Sequence, residues 1–168
     1  MIRLARLSAL CLAASFVAAP ASAGETSATL APLFRASGGW LNGTVTPESL
    51  KGKVVLVDVF TFDCYNCKNV TPNLRALNRA GEVAIVGIHS PETPYERDRA
   101  NVVANLKTLG VVWPVALDNS FTLWRAYNVE YWPTQLLFDR HGRLRKTIVG
   151  DSQDQEVDAT LKALLAER

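Results

Sequence analysis

The sequence predicts an α/β domain whose mixed central β-sheet is flanked by helices, with an added helix between strands. Three observations carry this expectation. Residues 54–60 and 83–89 are apolar at nearly every position and separated by a helical pattern, as buried parallel strands joined by a crossover helix require. A second helical pattern with its own start and stop signals follows at about 94–110. The chain closes with two short strand patterns across a tight turn and a final amphipathic helix.

Taken in order, the elements begin after a charged and apolar leader. Arg3 and Arg6 precede an apolar run over residues 7–19, and Ala21–Ser22–Ala23 offers small residues for cleavage. Residues 1–23 therefore read as an export signal and residues 24–168 as one domain, with an uncleaved anchor as the alternative. Cys11 lies in the leader and is preceded by Leu10, not by the small residue of a lipoprotein site. Residues 24–42 form a loosely patterned lead-in with Pro32, Gly38 and Gly39.

The run VVLVDVF at 54–60 is the first strand. A helix from about Cys64 follows, with Val70, Leu74 and Leu77 on one stripe and Pro72 as a kink. VAIVGIH at 83–89 completes the βαβ unit. Thr93, Pro94 and Glu96 then supply an N-cap, a first-turn proline and a capping-box acid for a helix that Gly110 ends. A short strand at 115–117 and a short helix at 121–127 come next. Strands at 135–138 and 144–149 flank the turn Asp139–Arg140–His141–Gly142, and a helix over about 153–166 opens on a Ser152/Gln155 capping box.

Charge and cysteine usage narrow the function. Without Arg3 and Arg6 the basic and acidic residues number 16 each, which gives no electrostatic reason for nucleic acid or an anionic membrane surface. Only Cys64 and Cys67 then remain, four positions apart inclusive, just after a buried strand. A helix N-terminus favours a thiolate at the first, and the second is placed to resolve a mixed disulfide. A stapling disulfide is the alternative, but so short a loop stabilises little. A zinc site would need further ligands, and neither His89 nor His141 stands at zinc-finger spacing.

Two further positions fit this chemistry. Asp58 interrupts the first apolar strand; a buried carboxylate there acquires a raised pKa and can act as general base toward Cys67, unless it reaches solvent at a strand end. Trp132–Pro133–Thr134 opens a strand with a proline. A cis bond at Pro133 would set a tight turn beside the cysteines and free the Trp132 backbone to pair with an extended peptide; an ordinary trans proline is the alternative.

Together these residues resemble the thioredoxin superfamily over most of residues 24–168. Asp58 matches its buried acid, Pro72 its helix proline, and Pro133–Thr134 its cis-proline and threonine. Within it, residues 60–67 (FTFDCYNC), 86–92 (VGIHSPE) and 128–133 (NVEYWP) are similar to exported TlpA-like proteins, particularly the thioredoxin-like domain of DipZ-type proteins. The resemblance implies a thioredoxin fold and an exported, monomeric protein-disulfide reductase. It further implies no cofactor or metal beyond the Cys64–Cys67 pair, electrons from a membrane thiol carrier, and substrate contacts at Tyr65, Asn66, Trp132 and Pro133.

Departures bear on redox poise. Tyr65–Asn66 replaces the usual Gly–Pro, and Asp63 replaces a tryptophan. A negative charge beside Cys64 opposes the helix dipole and points to a reductant. Two rivals remain. Thr61–Phe62–Asp63–Cys64 reproduces part of a thiol-peroxidase site, although Val57 stands where its proline belongs. Cys64, Cys67 and His89 could instead carry Cu(I). His89 and Glu130 are weaker site candidates, while Trp113, Trp124, Tyr127 and Tyr131 are expected in core and rim packing.

Overall fold

The computed structural model describes residues 28–167; the expected export signal and Cys11 lie outside them. A 6-stranded sheet runs β1-β4-β3-β2-β5-β6. Its strands are β1 (Trp40–Leu41), β2 (Val55–Phe60), β3 (Ala84–His89), β4 (Val115–Leu117), β5 (Thr134–Phe138) and β6 (Leu144–Val149). β2, β3 and β4 are parallel, whereas β5 pairs antiparallel with β2, β6 with β5, and β1 with β4. The expected mixed sheet with an inserted helix is therefore present.

The helices are α1 (Pro47–Leu50), α2 (Tyr65–Ala80), α3 (Arg99–Leu109), α4 (Thr122–Ala126) and α5 (Asp154–Ala166). Because side chains alternate across a strand, β2 feeds two cores. Leu56 and Phe60 join residues of α2, α3 and α5, while Val55, Val57 and Val59 join Leu50 of α1, Leu123 of α4 and the lead-in residues Leu30 and Leu33. Burying β2 on both faces explains why it is apolar at every position but Asp58. Asp58 shares the face of Leu56 and Phe60, and Cys67 belongs to that same core.

Several sequence expectations are corrected. The helix expected from Pro94 is two pieces, a 3₁₀ turn at Tyr95–Arg97 and then α3. Asp98, not Thr93, caps α3, accepting from Ala100 N–H at 2.8 Å and Asn101 N–H at 3.0 Å; its extended backbone ends the first turn and restarts the chain as a helix. The Ser152/Gln155 capping box does not form: Ser152 has φ 61°, and Gln153 takes the cap position without a side-chain bond. The lead-in is more ordered than its patterning implies. It contributes β1, and Tyr127 Oη accepts from Leu33 N–H at 3.2 Å. Thr46 and Ser49 form a capping box that starts α1.

Candidate active site

β2 delivers the chain to the site through residues 61–63, and Cys64 is the N-cap of α2. Its Sγ accepts from Cys67 N–H at 3.2 Å, as a serine or threonine oxygen would in that position. Both cysteines are free thiols; Cys64 is half-buried and Cys67 is 3% exposed. Burial pushes the Cys67 thiol well up, and a hydrogen bond to Cys64 and the Asp58 charge add to this; an N–H bond from Thr61 works the other way. The cysteine pair thus presents one accessible sulfur with a second beneath it. Thr71 Oγ1 donates back to Cys67 O at 2.9 Å, immediately before Pro72, which sits inside α2.

Asp58 lies in mid-strand, in register with Gly87 on β3 and Gln135 on β5. It is 3% exposed, and its Oδ1 has no hydrogen-bond partner among the described residues. Burial pushes its carboxyl up to about 7. Solvent at a strand end is therefore not its environment. An acid that exchanges its proton near neutrality now stands where its charge reaches Cys67.

The Trp132–Pro133 bond is cis. Pairing of Val59 with Thr134 brings it to the sheet end from which the chain enters α2. Trp132 and Cys64 pack against the same core. Trp132 Nε1 donates to Ser90 O at 2.9 Å, its ring lies 4.3 Å from that of Trp124, and Thr134 Oγ1 donates to Tyr131 O at 2.7 Å. Asp118 ties this wall down, accepting from Ser90 Oγ at 3.1 Å and from the α4 amides of Leu123 at 3.0 Å and Trp124 at 2.9 Å. Tyr65, Asn66, Tyr131 and Glu130 are exposed on the rim. Trp113 and Tyr127 are core residues, as expected.

Asp63 is not an isolated charge. Lys68 Nζ binds its Oδ1 at 2.9 Å on the surface, offsetting the negative field expected at Cys64. His89 is enclosed between Phe62, stacked at 5.5 Å, and Phe60, edge-on at 5.5 Å. Burial holds its imidazole down at about 4, so it is neutral at physiological pH. Its Nε2 faces Thr61 Oγ1 at 3.4 Å, and its Nδ1 has no partner among the described residues. Among those residues no three His, Cys, Asp or Glu side chains are grouped as a metal site.

Sequence reasoning missed Glu96 as a site residue. Its Oε2 does accept from Thr93 N–H at 2.6 Å, the bond a capping box would make. Its Oε1, however, accepts from Thr61 Oγ1 and from Asp63 N–H, reaching the segment that carries Cys64. A local helix-start pattern concealed a long-range contact.

The Redoxin family model matches residues 27–165. The chain belongs to the Redoxin family. This Redoxin-family chain is 33% identical over 143 residues to Protein DipZ of Mycobacterium bovis, a match covering 80% of the chain and 20% of DipZ. It therefore spans about a fifth of that relative's length. It is 28% identical over 131 residues to the thiol-disulfide oxidoreductase YkuV of Bacillus subtilis, covering 76% of the chain and 88% of YkuV. A thioredoxin-like protein solved in its oxidised form superposes with TM-score 0.74 at 26% identity, over 84% of this chain and 97% of that one. The fold is thioredoxin-like, and the resemblance to TlpA-like and DipZ-type proteins holds. No helix among the described residues is long and apolar enough to cross a membrane.

Proposed function

We propose that this chain is an exported thiol–disulfide oxidoreductase that reduces protein disulfides through Cys64 and Cys67. The observation that carries it is the stacked pair: Cys64 Sγ capping α2, with Cys67 buried one turn on and within reach of the Asp58 charge. Kinship with YkuV, named a thiol-disulfide oxidoreductase, supports it. Export rests on the pattern of Arg3, Arg6 and Ala21–Ser22–Ala23.

The chemistry follows from who is exposed and who is not. The Cys64 thiolate attacks one sulfur of a partner's disulfide, forming a mixed disulfide and releasing the other sulfur as a thiolate. Asp58 takes the Cys67 proton, which burial otherwise retains. Cys67 then attacks Cys64 Sγ, the bond to the partner breaks, and the Cys64–Cys67 disulfide forms. The partner's cystine has become two thiols, and no further cofactor is consumed. The cis Trp132–Pro133 wall with exposed Tyr65 and Asn66 offers an extended peptide its docking edge. The protein works as a monomer, and a membrane thiol carrier restores its dithiol.

A thiol-peroxidase role fits less well, because Thr61 Oγ1 is committed to Glu96. Copper delivery fits less well because His89 is boxed between two phenylalanines. Trapping decides the matter. A Cys67→Ser variant should accumulate mixed disulfides through Cys64 with exported proteins. If it traps no partner while peroxide turnover persists, the reductase assignment fails.

A further inference from the structure

Exposed apolar side chains are spread unevenly over this molecule. Of the six large ones among the described residues, Val103 and Val112 lie on α3 and in the loop after it. The other four gather at the sheet end that carries the cysteines. Tyr65 follows Cys64 and is 76% exposed, and Tyr131 precedes the cis Trp132–Pro133 bond and is 63% exposed. Tyr95 stands edge-on to Phe62 at 5.7 Å, in the segment that leads into Cys64. Val149 pairs with Thr134, next to Pro133. An apolar patch of this kind marks a contact surface.

Each of these four segments also brings an exposed or half-buried carboxylate: Asp63 just before Tyr65, Glu92 before Tyr95, Glu130 before Tyr131 and Asp151 just after Val149. Printed bonds hold the segments together around the site. Trp132 Nε1 on Ser90 O at 2.9 Å ties the loop of Glu92 to that of Glu130. Gly150 N–H donates to Pro133 O at 2.9 Å, and Asn69 Nδ2 donates to Asp151 Oδ2 at 2.7 Å, which sets Asp151 between the cis-proline and α2. The nearby cations are already engaged, Lys68 with Asp63, and Arg97 with Asn119 O and the Phe121 ring. Glu92, Glu130 and Asp151 have no ion-pair partner among the described residues.

We propose that this face is the docking surface for an extended client segment that carries lysine or arginine beside its cystine. The proposal rests on the exchange function above and deepens it by naming the substrate class. Charge complementarity argues the occupant: three uncompensated carboxylates around one accessible sulfur attract a basic segment and repel an acidic one. The tyrosines favour the same occupant, because an aromatic face attracts an ammonium or guanidinium group and its body covers the apolar stem. The chemistry is that of the exchange itself. Cys64 Sγ bonds one client sulfur and releases the other; Cys67 Sγ then attacks Cys64 Sγ and releases the first. An electron pair passes from the dithiol to the client's cystine, which leaves as two thiols.

Single-turnover oxidation of the reduced protein by cystine peptides tests this. The peptides share one sequence and differ only in whether lysine, serine or glutamate flanks the cystine. Each rate is divided by the rate of the same peptide with 2-mercaptoethanol, which removes the intrinsic effect of flanking charge on a cystine. The lysine peptide should then react about tenfold faster than the glutamate peptide at low salt, with serine between them, and the gap should close to about twofold at high salt. In a variant combining Glu92→Gln, Glu130→Gln and Asp151→Asn, the low-salt ratio should fall to about two. If that variant does not fold, the salt series on the wild-type protein carries the test. Equal normalised rates, a faster glutamate peptide, or a preference that either salt or the variant leaves intact would overturn the docking proposal while leaving the exchange function standing. If no peptide oxidises the dithiol, both are overturned.

Discussion

Asp58 and Glu96 are carboxylates of nearly equal enclosure, 3% and 1% exposed, and the fold treats them in opposite ways. Glu96 receives four hydrogen bonds, from Thr61 Oγ1 and the N–H groups of Asp63, Glu92 and Thr93. Burial pushes its carboxyl up, but those donors outweigh burial and hold it below the ordinary range. Asp58 has an orphaned Oδ1, and burial alone sets its carboxyl at about 7. Enclosure by itself therefore does not decide charge. The supply of donors does, and it separates a fixed anion that organises backbone from a carboxyl that holds its proton to near neutrality. A third carboxylate, Asp63, sits in solvent against Lys68 and does neither.

The largest expected effect breaks the clamp outright. Glu96→Ala strands buried donors, and urea unfolding should show a loss of about 4 kcal/mol. Asp58→Asn removes an unsatisfied acid, so at pH 7 it should be neutral or stabilising. A comparable loss at both positions would end the contrast.

The pH dependence of stability sharpens it. Asp58 keeps its proton in the folded state to about pH 7 but loses it near 3.8 when unfolded. Stability from this group is fully present below pH 3.8 and falls as pH rises toward 7, by up to about 4 kcal/mol. His89 does the reverse: neutral in the fold down to about 4, protonated when unfolded below 6.5, it adds stability as pH rises between those values. The two slopes oppose each other over that window, so wild-type stability should be nearly flat there. Asp58→Asn should expose a rise of about 3 kcal/mol, and His89→Phe a fall of similar size, in denaturant titrations at stepped pH. Glu96 and Asp139, both held below their ordinary values, act only at lower pH.

Next in size is a kinetic effect. Asp58→Asn should slow resolution by roughly a hundredfold at pH 7, the scale of losing a general base, with attack by Cys64 nearly unchanged. Quenched single-turnover assays would show the mixed disulfide persisting. The smallest effect concerns the exposed acid. Lys68→Ala uncovers the Asp63 charge and should lower the dithiol potential by about 10 mV at low salt, vanishing at high salt. An unscreened shift would mean that Asp63 acts through structure rather than through charge.

The fold was legible where local signals and tertiary placement agree. The nearly continuous apolar runs became β2 and β3, and the 115–117 strand, the hairpin and the final helix stand within a residue or so of expectation. β1 was not legible, because two residues make no period and its pairing with β4 is a tertiary event. α1 was missed, although Thr46–Pro47–Glu48–Ser49 carries the capping pattern that starts it. The break at Asp98 was hidden by a second, equally good start at Thr93.

In the site, the CxxC spacing, the acid six residues before Cys64 and the Trp–Pro–Thr segment could all be read from the chain, because each chemistry is written in neighbouring residues. The cis state of Trp132–Pro133, the pairing of Asp63 with Lys68 and the sealing of His89 between Phe60 and Phe62 were decided by packing. Residue type and spacing determined which groups could exchange a disulfide. Tertiary structure decided which carboxylate keeps its proton, since that depends on donors gathered from segments thirty-odd residues apart, such as Thr61 and Asp63 on Glu96.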